Sequence, residues 1–129
     1  MEINFEVQGE TPSKKNSRIN TRSGRSFPNK KYRDWHVLAV GQIVYQKMKM
    51  KNVSFPIDRP IRIKMIFTHG DLRCRDSDNG ASSILDTLKD SGIITDDNWQ
   101  IVKELNISNE FEKNKPSCKI CMEVLENEQ

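Results

Sequence analysis

Cysteine is scarce in this chain and odd in number, three among 129 residues. A disulfide framework needs pairs and an oxidising compartment, so Cys74, Cys118 and Cys121 are expected as free thiols of an intracellular, cytoplasmic protein. Cys118 and Cys121 form a lone CxxC with no second pair, and on a strand residues three apart point to opposite faces, which argues against zinc. Long apolar runs are also missing. None approaches the roughly 20 residues that span a bilayer, and the opening MEINFEVQGE carries acids where a signal peptide carries bases. The expectation is a soluble protein with no membrane partner. A glycine-rich phosphate loop, a Ser/His/Asp arrangement, internal repeats and low-complexity tracts are absent as well, which leaves no sequence support for the corresponding chemistries.

One more absence is local. Between residues 11 and 33 there is no acid, while Lys14, Lys15, Arg18, Arg22, Arg25, Lys30, Lys31 and Arg33 are all basic. The net charge of +3 hides this block. Phosphate binding depends on clustered cations rather than on the total, so the block points to a polyanionic partner, with a merely solvated basic loop as the competing reading.

With 35% hydrophobic and 30% charged residues, the chain fits one domain with a modest core. Residues 2–8 alternate Ile3, Phe5 and Val7 against Glu2, Asn4 and Glu6, the period of a half-buried strand. Residues 9–29, rich in Gly, Pro, Ser, Asn and Thr, read as a long loop or irregular arm. Residues 31–50 predict one helix, weakened near Gly41, with Trp35, Leu38, Ala39, Gln42, Ile43 and Gln46 along its inner stripe and Val37, Val40, Val44 and Met48 widening it. After Pro56 and Pro60 a second strand alternates Ile61, Ile63, Met65 and Phe67 against Arg62, Lys64 and Thr68. Asp78 is placed to cap a second helix carrying Ala81, Ile84, Leu85 and Leu88, and Gly92 to stop it. Residues 101–111 and 117–125 read as two last strands, expected to form a hairpin. The order β-α-β-α-β-β predicts an α+β fold with a mixed sheet and two main helices.

The chemistry concentrates in residues 76–97. Asp76 and Asp78 open that run, at a strand end and a helix start, and Asp96 and Asp97 close it. If such carboxylates converge, their repulsion is relieved by a hard divalent cation, and Mg²⁺ or Mn²⁺ suits oxygen ligands and phosphodiester hydrolysis. The bland alternative makes Asp78 a helix cap, Asp76 a surface residue and Asp96–Asp97 a turn. Arg73 and Arg75, directly before Asp76, would meet a substrate phosphate. His36 is expected to pack or face solvent, His69 is close to the acids in sequence only, and Trp99 is expected in the core although it could stack on a base.

Taken together, RCRDSDN at 73–79, Leu85, Asp86 and Leu88, then GIITDD at 92–97 with Val102, resemble the motifs of the RusA-type Holliday-junction endonucleases. PSKKNSR at 12–18 and YRDW at 32–35 look like that family's N-terminal region, so the likeness spans nearly the whole chain. The resemblance implies a homodimeric α+β nuclease domain over residues 1–129, with a basic arm at about 9–30, that uses Mg²⁺, or Mn²⁺ in its place, to make paired nicks in four-way DNA junctions. It implies Asp76, Asp78 and Asp97 as catalytic, metal-binding carboxylates, with Asp96 beside them. Lys14, Lys15, Asn16, Arg18, Arg22, Arg25, Arg73 and Arg75 are then the expected DNA contacts. One position departs from the pattern: the family commonly has a lysine four residues after the second aspartate, and here it is Ser82. That keeps open a junction-binding protein with impaired catalysis; a nuclease of broader branched-DNA selectivity is a separate alternative.

Overall fold

A computed structural model describes residues 1–13, 18–20, 22–24 and 26–125. Its elements run β1 (Glu2–Gln8), β2 (Arg18–Asn20), β3 (Ser26–Pro28), α1 (Lys30–Met48), β4 (Ile61–His69), α2 (Asn79–Asp90), β5 (Val102–Phe111) and β6 (Ser117–Val124). The main sheet has four strands in the order β1-β6-β4-β5. This is the α+β fold with a mixed sheet that the sequence predicts. No helix of the described residues is long and apolar enough to cross a membrane.

Strand alternation builds the core. Ile3, Phe5 and Val7 of β1, Ile61, Ile63, Met65 and Phe67 of β4, and Cys118, Ile120 and Met122 of β6 all point to one side and are buried, together with Ala39 and Ile43 of α1 and Ala81, Ile84 and Leu88 of α2. Burial pushes the Cys118 thiol up to about 12, with Cys121 adding to the shift, so Cys118 is an inert core thiol. On the opposite face the sheet is polar. There the Arg62 guanidinium ties the three neighbouring strands together by pairing with Glu104 of β5 and, at 2.9 Å, with Glu123 of β6.

The last two strands do not form the expected hairpin. β4 lies between them, pairing in parallel with β5 and antiparallel with β6. β4 and β6 are the two inner strands, and the connection after β5 crosses over the end of β4, with Glu112 and Asn114 donating backbone N–H bonds to the carbonyls of His69 and Gly70. Hairpin and crossover need connections of similar length here, so periodicity alone did not separate them. The segment read as irregular also contains order: β2 and β3 pair antiparallel, Ile19 opposite Phe27.

α1 differs in which face it buries. Asn29 caps it, its side-chain oxygen accepting the Tyr32 backbone N–H at 3.0 Å. Tyr32, Ala39 and Ile43 face inward, but Val37, Leu38, Val44 and Met48, expected on the same apolar stripe, are exposed. Gln42 and Gln46 do lie on the inner side, as expected, because β1 is a sheet edge with backbone groups to satisfy. Gln42 Oε1 accepts the Gln8 N–H at 2.8 Å; Gln46 Oε1 accepts the Glu6 N–H at 2.9 Å and its Nε2 donates to the Glu6 carbonyl at 2.7 Å. Two amide side chains thus act as a partial extra strand.

Candidate active site

β4 delivers the chain to the site. After His69 the backbone turns at Gly70, where a Cβ would stand 2.9 Å from the Pro116 ring, and runs through residues 71–77 into α2. Asp78 holds the N-cap position, as expected, yet its side chain makes no cap hydrogen bond, so its carboxylate is not consumed by the helix. Asn79 holds Asp76 instead. Its backbone N–H donates to the Asp76 carbonyl at 3.3 Å and its Nδ2 to Asp76 Oδ2 at 3.4 Å.

Asp76 opens onto a cleft of about 370 Å³ whose lining includes Arg73, Arg75, His69, Glu10, Ser13, Lys31 and Asn109. Both ends of the basic arm border it. The leaving end is pinned by Gly9 N–H to the Pro116 carbonyl at 2.9 Å and by the buried Ser83 hydroxyl, which donates to the Pro12 carbonyl at 2.6 Å. The returning end is Lys31.

The two arginines are not equivalent. Arg75 Nη2 sits 2.8 Å from Asp71 Oδ1 and 3.4 Å from Glu10 Oε1, and its Nη1 donates to the Arg73 carbonyl at 3.2 Å. The Arg73 backbone N–H first, then the Arg75 guanidinium, hold the Asp71 carboxyl below its usual range. Arg75 is therefore a structural brace for the loop. Arg73, by contrast, has 83% of its side chain exposed and only a 3.9 Å contact to Asp71.

Sequence reasoning missed Glu10 and Asn109 and undervalued His69. His69 Nδ1 lies 2.7 Å from Glu10 Oε2 and Nε2 2.9 Å from Asn109 Oδ1, so the ring locks the arm's root to β4 and β5. Carrying the strand's period of two one step past Phe67 places His69 on the same inner side; Glu10 had no such signal, because its place depends on β1 pairing with β6.

The second acidic pair is set by the end of α2. Gly92 adopts φ 74°, its N–H donating to the Lys89 carbonyl at 3.1 Å and the Ile93 N–H to the Leu88 carbonyl at 2.9 Å, a glycine-terminated helix end. Ile93 and Ile94 are buried, with Ile57 bridging to Ile94, and this anchors the following acids at the surface. Hydrogen bonds to Asp97, the backbone N–H foremost, and to the Asn98 amide hold the Asp96 carboxyl below its usual range, and Lys89 adds to the shift. Lys89 Nζ lies 3.9 Å from carboxylate oxygens of both Asp96 and Asp97. Ser82 is exposed on α2, and Lys89 stands two turns further along the same helical face.

Trp99 is not a core residue. It is 72% exposed in the loop after the acids, with Lys103 Nζ 4.6 Å from its ring centroid, because the chain here has passed the layer that α2 covers. Among the described residues, the group of three His, Cys, Asp or Glu ligand atoms lying within 4.8 Å of one another is His36, Asp86 and Asp90, not the acids at 76, 78 and 97. That group is a clamp between helices. Tyr32 donates to Asp86 at 2.9 Å, His36 Nε2 meets Asp90 at 2.8 Å, and the His36 ring stacks on Tyr32 at 5.6 Å. Burial first, then Asp86, raises the Tyr32 hydroxyl pKa. Of the other expected DNA contacts, Arg22 is exposed in the turn between β2 and β3 and Arg18 belongs to β2; Lys14, Lys15, Asn16 and Arg25 lie outside the described residues.

Exposed acids at a strand-to-helix junction, an exposed arginine and a basic arm rooted in the same cleft are the arrangement that a phosphodiester hydrolase acting on a polyanion would use. The family model for the endodeoxyribonuclease RusA matches residues 9–123, and the chain belongs to that family. The resemblance read from the motifs is borne out. No curated protein matches the chain.

Proposed function

We propose that the protein resolves four-way DNA junctions by metal-dependent paired nicking, working as a homodimer. The observation that carries this reading is the cleft itself: Asp76, Arg73 and both roots of the basic arm line one opening. The arm supplies backbone affinity that is independent of sequence, and a dimer addresses two opposing strands with two symmetry-related sites.

Mg²⁺, with Mn²⁺ as a substitute, fits the donor set at Asp76, Asp78 and Asp97, with the half-buried Asp96 as neighbour: the first three are exposed carboxylates, and hard cations take oxygen ligands while keeping several waters. A bound cation of this type polarises a phosphodiester and acidifies a water. The chain's own residues do the rest. Asn79 orients Asp76, Arg73 meets the phosphate, and Lys89, reaching Asp96 and Asp97, stands in for the positive charge missing at Ser82. Three free cysteines support a reducing, DNA-containing compartment, the cytoplasm.

The test is an end-labelled four-way junction and a matched linear duplex, each incubated with protein in Mg²⁺, Mn²⁺ or EDTA. Symmetric nicks confined to the junction and lost in EDTA are expected. Tight junction binding without cleavage would replace the enzyme with a binding protein, and equal cutting of flaps or forks would broaden the substrate class.

Trp99 adds a stacking surface next to the acids, suited to a base unpaired at the crossover. Since one base–aromatic stack is worth about 1–3 kcal/mol, Trp99→Ala is expected to weaken junction binding by roughly tenfold and to leave duplex binding unchanged. Equal effects on both substrates in a titration would remove Trp99 from junction recognition.

A further inference from the structure

α1 is apolar on two opposite faces, and the fold uses one of them. Tyr32, Ala39 and Ile43 pack inward, while Val37, Leu38, Val44, Tyr45 and Met48 are 36–76% exposed on the other side. These exposed residues are arranged symmetrically about Gly41. Val37 and Tyr45 lie four residues before and after it, Leu38 and Val44 three, Asp34 and Met48 seven. At about 100° per residue, all of them fall within roughly 60° of the Gly41 direction.

We propose that this face is where two copies of the chain meet, α1 packed antiparallel against α1 about a two-fold axis through Gly41. The inference deepens the homodimer reading above and rests on it, by naming the surface. A two-fold contact is isologous, so its patch must complement itself. About this axis Val37 meets Tyr45 of the second copy and Leu38 meets Val44, while Gly41 faces Gly41. The ends meet too: Asp34 approaches Met48 and Lys49 of the second copy.

The centre of the stripe is built for close approach. A Cβ at Gly41 would meet nothing within 4 Å in this chain, so the glycine is not demanded by its own fold, yet it costs helix stability. At the crossing it lets the axes come within about 9–10 Å with the two Gly41 Cα atoms, each on a radius of about 2.3 Å, facing one another. Five large side chains offering on the order of 100 Å² each bring about 1,000 Å² of apolar surface together from two copies, near the threshold for a specific interface. Each copy contributes roughly 500 Å² of this, the size of the largest apolar patch on a typical monomer, which is often a functional surface. β5 is the other open surface, an edge strand, but its outward residues are mostly polar and lack this symmetry.

The experiment uses the full chain. In a Cys74→Ser background, Gly41→Cys under mild oxidation is expected to give a disulfide-linked dimer in high yield, because a disulfide needs Cα atoms roughly 4.4–6.8 Å apart and the axis puts them there. The Cys74→Ser parent alone controls for Cys118 and Cys121. Separately, Leu38→Glu with Val44→Glu is expected to shift sedimentation from dimer to monomer, weakening association at least a hundredfold while far-UV circular dichroism is kept. If that double variant fails to fold, the crosslink still decides. A wild-type dimer that neither crosslinks through Gly41→Cys nor dissociates in the double variant overturns this surface and leaves the homodimer reading standing. A wild-type monomer at every concentration overturns both.

Discussion

Asp76→Asn is expected to lower single-turnover junction nicking on the order of a thousandfold, the scale of losing a group aimed at charge in the transition state, while junction affinity stays within about threefold. The asymmetry follows from the site. Asp76 opens onto the cleft, and asparagine keeps its volume and an oxygen for the Asn79 amide, so the loop is retained. What disappears is one negative charge beside Asp78. In the proposed reading binding draws mainly on the basic arm and Arg73, which the substitution does not touch, and removing an anion near a phosphate favours binding if it changes it at all. Nicking is measured on labelled junctions with Mg²⁺ and affinity by gel shift in EDTA. Asp97→Asn is expected to behave alike, because the proposed metal site draws on both acidic pairs. Wild-type rates in either variant would sink the catalytic assignment, whereas loss of binding in both would show that the acids shape the cleft rather than act in it.

What was legible in the sequence follows a physical division. Alternation in residues 2–8 and 61–69 fixed which side chains face the core, and the Gly92 stop placed Asp96 and Asp97 just beyond a helix end, as found. These are local rules. Strand order was not legible, because β5 and β6 are joined by a short connection and both orders satisfy the same pattern; only the crossing over the end of β4 decides it. In α1 the inner positions of Ala39, Gln42, Ile43 and Gln46 were legible, but Leu38 and the widening Val37, Val44 and Met48 were misread, because a helix apolar on both faces does not say which face is buried. At the site the acids were legible as a motif, but their supports were not. Arg75 is spent on Glu10 and Asp71, Glu10 reaches the cleft only through the sheet, and Lys89 lies far from Asp97 in sequence until the glycine turn folds it back.

Gly80→Ala is expected to lower the melting temperature by about 3–8 °C and nicking by roughly ten- to a hundredfold, with junction binding retained. Gly80 lies in the first turn of α2, directly after the first pair of acids, and a Cβ there would stand 2.9 Å from Phe67 Cε1 and 3.2 Å from Cζ. The Phe67 ring is itself buried in the core and borders the cleft, so it has little room to yield. The helix start must lift instead. Overpacking of this kind costs about 1–3 kcal/mol, and the gain of about 1 kcal/mol in helix propensity offsets only part of it. Because Asp76 and Asp78 lead directly into that first turn, the displacement reaches the acids themselves, whereas the basic arm is rooted at Pro12 and Lys31. Phe67→Leu is then the matching change: by shortening the side chain that the new methyl meets, it should recover part of both the melting temperature and the nicking rate in the double variant, a coupling that independent sites would not show. Thermal melts and nicking rates of the two single variants and the double variant check this. Additive losses would mean that α2 shifts freely against β4, and that the spacing between glycine and phenylalanine does not set the position of the acids.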